Sequence, residues 1–83
     1  ETIEITKHSS QFYLDSLTTA LHKKGIMLKF EIVEFNEQGE LRKIKGQINF
    51  THSCNGTFSS DNLDRVVIKK NGSKLSINVN ENR

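Results

Sequence analysis

Leu21-His22-Lys23-Lys24-Gly25-Ile26 is the stretch on which the fold turns. It reads either as a basic binding patch centred on His22, Lys23 and Lys24, or as the last turn of a helix stopped by Gly25, with Ile26 opening a strand. The flanking periodicities decide. Upstream, at about 100° per residue, Tyr13, Leu14, Leu17, Ala20, Leu21 and Lys24 fall in one stripe roughly 120° wide, and Gln11, Asp15, Thr18, Thr19, His22 and Lys23 occupy the rest. Downstream the period is two, with Ile26, Leu28, Phe30 and Ile32 against Met27, Lys29 and Glu31. Gly25 suits C′, Lys23 and Lys24 complement the helix C-terminal dipole, and Ile26 is placed to contact Leu21 in a Schellman ending. Lys24 can lay its stem on the buried stripe and still reach water. The stretch is a hinge between helix and strand.

Working outward, Ser9 and Ser10 offer N-cap hydroxyls, giving an amphipathic helix of about four turns. Phe12 lies off the stripe and is expected to pack against the entering chain. Before it, Thr2–Thr6 alternates, with Ile3 and Ile5 on one face, as a short half-buried strand. Beyond Ile32, Val33 and Phe35 take the opposite parity, which marks a bulge or a strand locally buried on both faces. Asn36–Glu40 is a turn in which Gly39 can take positive φ. The next strand runs from Leu41 to Thr51 with Ile44, Ile48 and Phe50 inward. Gly46 shares their register, and a glycine there marks close approach of another backbone, expected to be the helix.

Two Asn-Gly pairs follow, Asn55-Gly56 and Asn71-Gly72, each suited to a two-residue hairpin turn. The first would reverse the long strand into a short one around Thr57–Ser59. Ser60–Asp64 is a polar connection. The second pair would join Arg65–Lys70 to Lys74–Val79. The order is β-α-β-β-β-β, with room for one further strand. It predicts a two-layer α+β domain, one amphipathic helix packed on a mainly antiparallel sheet of four to five strands. The face opposite the helix is expected to be solvated or covered by a partner.

The bulk numbers agree with one thin core. The 83 residues are 34% hydrophobic, with five Phe, one Tyr and no Trp, enough for a single small domain. A net charge of +2 is too balanced to argue for a polyanionic partner. A lone cysteine, Cys54, excludes an internal disulfide and a four-cysteine zinc site. No stretch approaches the roughly 18 apolar residues of a membrane span. The chain starts at Glu1 and is expected to be a processed chain or a piece cut from something longer.

Chemistry-bearing groups are sparse. His52 and Cys54 can share one strand face, but zinc wants three or four ligands and His8 and His22 are not brought there by spacing. The same pair could serve as base and nucleophile, yet a third orienting group and a cleft are also needed. A semi-exposed turn cysteine is the plainer reading. Glu31 with Glu34 and Asp61 with Asp64 cannot be told from surface charges. Basic clusters at His22-Lys23-Lys24, Arg42-Lys43-Lys45 and Lys69-Lys70-Lys74 are not interleaved with aromatics as nucleic-acid stacking platforms are, and strand lysines also protect edges. The sequons at Asn49, Asn55 and Asn71 are acceptors only in a eukaryotic secreted protein, and turn chemistry accounts for two of them. No catalytic, cofactor-binding or metal-binding residue is assigned.

Several motifs together resemble a known family. Ile5-Thr6-Lys7-His8-Ser9-Ser10 leads into a helix closed by Lys23-Lys24-Gly25-Ile26. Asn36-Glu37-Gln38-Gly39-Glu40-Leu41 then turns into a strand, and an Asn-Gly pair and Val67-Ile68-Lys69-Lys70-Asn71-Gly72 follow. This arrangement resembles the small domain C-terminal to the membrane peptidase unit in BlaR-type regulatory metallopeptidases of some Gram-negative bacteria. Tyr13 stands where that family often has a capping-box glutamate, and Leu41 where it has isoleucine. The resemblance implies a non-catalytic extracytoplasmic accessory domain, periplasmic or in the cell envelope, of a membrane-anchored regulatory peptidase. Its zinc site would lie in the membrane portion and not in this segment. No cofactor is implied. The expected partner is a protein or peptide, or other domains of the parent protein, and not nucleic acid. The expected contact surfaces are the uncovered sheet face and the edge near Arg65–Val79. A basic-patch nucleic-acid-binding domain and a small Cys54/His52 enzyme are the alternatives.

Overall fold

The computed structural model describes residues 2–51 and 54–82. Its elements are β1 (Thr2–Thr6), α1 (Gln11–Lys23), β2 (Met27–Phe35), β3 (Leu41–Thr51), β4 (Cys54–Ser60), β5 (Leu63–Asn71) and β6 (Lys74–Glu81). The helix ends as its sequence requires. Ile26 N–H reaches Leu21 O at 2.9 Å, Gly25 N–H reaches His22 O at 3.0 Å, and Gly25 sits at φ +81°. Those bonds satisfy carbonyls that the last turn would otherwise leave unpaired, and Ile26 and Leu21 are both buried, completing a Schellman ending. At the other end Ser10 is the N-cap, its Oγ accepting from Tyr13 N–H at 3.1 Å.

The strands do not form one sheet. They make two antiparallel three-stranded sheets, ordered β1-β5-β6 and β2-β3-β4, with the helix packed on them. The α+β class holds, but the single sheet of four to five strands is corrected to two of three. Burial explains the split. Ile3, Ile5, Leu63, Val66 and Ile68 of the first sheet share one core with Leu28, Leu41, Ile44, Ile48 and Phe58 of the second. Each sheet thus covers the other's apolar face. An alternating strand records that one of its faces is buried and not what buries it.

Local details sharpen the sheets. Register slips between Phe30 and Ile32, leaving Glu31 as the extra residue. After the bulge Val33 and Phe35 pair with Ile44 and Leu41, both buried. Ile32, expected inward, instead pairs with exposed Lys45. Asn36–Gly39 forms the next turn, with Gly39 at φ +81° and Asn36 Oδ1 accepting from Glu40 N–H at 2.9 Å. Gly46 does admit a neighbour, though not the helix. A Cβ there would lie 2.6 Å from Lys29 O of the adjacent strand and 2.7 Å from the Phe58 ring.

The two Asn-Gly pairs part company. Asn55 and Gly56 lie inside β4, opposite Asn49 and Ile48, so this pair is strand and not turn. Thr51 pairs with Cys54, so Asn55-Gly56 is not the turn between β3 and β4. The second pair does sit at a hairpin, displaced by one residue. Asn71 pairs with Lys74, leaving Gly72 and Ser73 as the central residues. Only Gly72 has positive φ, +66°, which matches the type II′ pattern of glycine first.

Candidate functional site

A strand at the edge of a sheet carries unsatisfied backbone groups on one side, so edges are natural contact surfaces. Four edges exist here, and their surroundings differ. At the β1 edge, Tyr13 Oη donates to Glu4 O at 2.8 Å, so the helix already occupies that position. The β2 edge is bulged at Glu31, and Gln11, Asp15, Thr18 and Thr19 of α1 line a groove with its Leu28–Val33 segment. The β4 edge belongs to a strand whose inward residues Cys54, Phe58 and Ser60 are buried.

β6 is different. It pairs with β5 in unbroken register from Asn71↔Lys74 to Arg65↔Asn80. Bonded and non-bonded pairs alternate along an antiparallel ladder, and a two-residue turn closes on a bonded pair. Lys74, Ser76, Asn78 and Asn80 therefore direct their backbone groups toward β5, while those of Leu75, Ile77 and Val79 face outward. The side chains of those three are only half-buried against the core. Lys74, Ser76, Asn78 and Asn80 are exposed on the other face. The expected edge near Arg65–Val79 is thus corrected in part: β5 is central and paired on both sides, and the edge is β6 alone. The apolar face of each sheet is buried by the other sheet and the helix, and the face turned away from that core carries exposed residues.

The far end of β6 is clamped. Ser60 Oγ donates to Glu81 Oε2 at 2.9 Å, and Asp61 N–H donates to the same oxygen at 3.3 Å. The Ser60 hydroxyl and then the Asp61 amide hold the Glu81 carboxyl below its ordinary pKa of 4.5. A polar cleft of about 250 Å³ lies beside this end, lined partly by Lys7, Glu40, Arg42 and three asparagines. Its asparagine amides are engaged in holding the fold: Asn62 Nδ2 donates to Asn82 O and Asn82 Nδ2 to Leu63 O.

The helix adds one feature the stripe did not foretell. Phe12, expected to pack on the entering chain, is 80% exposed. The buried stripe is narrower than predicted. Leu14 and Leu21 are buried and Leu17 half-buried, while Tyr13, Ala20 and Lys24 are exposed.

The other candidates are dispersed. Cys54 is buried and faces inward, and His52 lies outside the described residues. His8 Nδ1 lies 3.8 Å from Glu40, and His22 is exposed at the helix end. Among the described residues no group of three or more His, Cys, Asp or Glu could hold a metal, and no helix is long and apolar enough to cross a membrane. The carboxylates pair separately, Glu31 with Lys45 at 3.7 Å and Asp61 with Lys43 at 3.8 Å. These contacts also place acids within the Arg42-Lys43-Lys45 cluster, and Lys70 lies over the Phe50 ring at 5.8 Å. Asn49, Asn55 and Asn71 are exposed. The unbulged β6 edge could have been sought in the clean alternation of KLSINV, but alternation does not say whether a strand lies at an edge or in the middle. No family model, no curated protein and no solved structure matches the chain.

Proposed function

We propose that this protein is a non-catalytic interaction domain that takes up an extended protein or peptide segment as an additional strand beside β6. The observation that carries the reading is the β6 edge itself. It presents the outward backbone groups of Leu75, Ile77 and Val79, in even register, above side chains that are only half-buried. A strand added there would gain main-chain hydrogen bonds and cover the remaining aliphatic surface, with apolar residues at alternate positions giving selectivity. Lys74 and the polar row Ser76, Asn78 and Asn80 keep the edge soluble without a partner.

The setting we propose, an extracytoplasmic accessory domain of a membrane-anchored regulatory peptidase, rests on the motif resemblance alone. A reading frame with upstream membrane segments and an HExxH motif would support it, and one with neither would remove it. The strand-addition role stands apart from that setting. Selection of peptides from a random display library should enrich sequences of alternating apolar and polar residues. Amide exchange should then show new protection at Leu75, Ile77 and Val79. Ser76 and Asn78, already bonded to β5, should be protected with or without peptide. Selected peptides that protect α1 around Phe12, or a selection that enriches none, would overturn the β6 reading.

A further inference from the structure

The two Asn-Gly pairs share a local sequence chemistry and occupy opposite environments. We infer that Asn71 is a site of spontaneous deamidation, and that the fold protects Asn55 from the same reaction. In this reaction the backbone nitrogen of the following glycine, having given its proton to water or base, attacks the asparagine Cγ. A new C–N bond closes the ring, the bond from Cγ to the amide Nδ2 breaks, and that nitrogen leaves as ammonia after taking up a proton. Water then opens the succinimide at either carbonyl, leaving an aspartyl or an isoaspartyl residue. No oxidation state changes.

The step needs an accessible side-chain amide, an unhindered following nitrogen and freedom to rotate the backbone between them. Asn71 is exposed, and among the described residues no hydrogen bond fixes its side chain. Gly72 is a central turn residue outside the Asn71↔Lys74 pair, and nothing lies within 4 Å of where its Cβ would be. A hairpin tip opens at little free-energy cost. Asn55 is held differently. It is paired within β4 opposite Asn49, and Gly56 lies opposite Ile48 with Ile77 Cδ1 2.6 Å from its Cβ position. Reaction there requires β4 to leave β3 and β6 to withdraw.

The inference is independent of strand addition at β6, although its product falls at the root of that strand. An isoaspartyl link adds one carbon to the backbone just before the β5–β6 turn and places a carboxylate among Lys69, Lys70 and Lys74. Peptide mapping of the folded protein, incubated at mildly alkaline pH, tests it. Conversion at Asn71 should run at least ~10-fold faster than at Asn55, because even ~1.4 kcal/mol of opening free energy slows the strand site tenfold. In concentrated urea the two rates should become equal. Equal rates in the folded protein, or a folded Asn71 no faster than Asn55, would overturn the inference. So would a difference that persists in urea, since it would then come from neighbouring residues and not from the fold.

Discussion

The two flanks of this molecule are closed in different ways. Along β1 and β2 the helix does the filling. It joins the two strands in sequence, bonds to the β1 edge through Tyr13 and sends Leu14, Leu17 and Leu21 into the core. Along β4 and β6 no helix intervenes and the sheets touch directly. The contact is close enough at Gly56 that a methyl group there would overlap Ile77. A flank plugged by large side chains loses much when one is removed. A flank that relies on a missing side chain is disturbed when one is added, and only as far as its neighbours cannot move.

The largest expected effect is on the plugged flank. Leu14 is fully buried, so Leu14→Ala should cost about 3 kcal/mol, by loss of transfer free energy and the cavity left behind. A urea midpoint unchanged from wild type would show that the helix does not plug the core. Next comes a pair of glycines. Gly46→Ala should destabilise by about 2 kcal/mol, because its Cβ meets the rigid Lys29 carbonyl. Gly56→Ala should cost less than about 1 kcal/mol, because it meets the terminal methyls of Ile77 and Leu75, which can rotate away. Finding the reverse order in thermal unfolding would mean that the β4–β6 contact is the more rigid of the two.

The smallest effect sharpens the direct-contact flank through Glu81. Its folded pKa lies below its ordinary value, so ionised Glu81 stabilises the fold above about pH 4.5. That contribution is lost as pH falls through the folded pKa. Wild type should therefore melt higher than Glu81→Gln at neutral pH, and the gap should close in acid. A gap that persists in acid would assign the effect to packing and not to charge.

Much of the local structure was legible in the residues. Gly25 with Ile26 gave the helix ending because glycine at positive φ and an apolar residue after it satisfy the last carbonyls locally. The opposite parities of Ile32 and Val33 left two readings, a bulge or a strand buried on both faces, and the pairing of β2 with β3 chose the bulge. Asn55-Gly56 misled, because its turn preference was overridden once β4 paired with β3 and Gly56 was needed for sheet contact. Phe12 misled as well, since a residue off the helical stripe has no partner unless the entering segment passes over it. The candidate edge was legible as a strand but not as an edge.

Sequence by itself determined the helix and its caps, the alternation of most strands and the turns at Gly39 and near Gly72. Each follows from φ preference, side-chain periodicity or hydrogen bonds between near neighbours. Tertiary structure decided that the strands divide into two sheets, that β5 is central and β6 an edge, and that Gly46 and Gly56 are close-approach positions. Those outcomes depend on which distant apolar faces cover one another, and alternation of period two is the same for a face buried by a helix as for one buried by a second sheet.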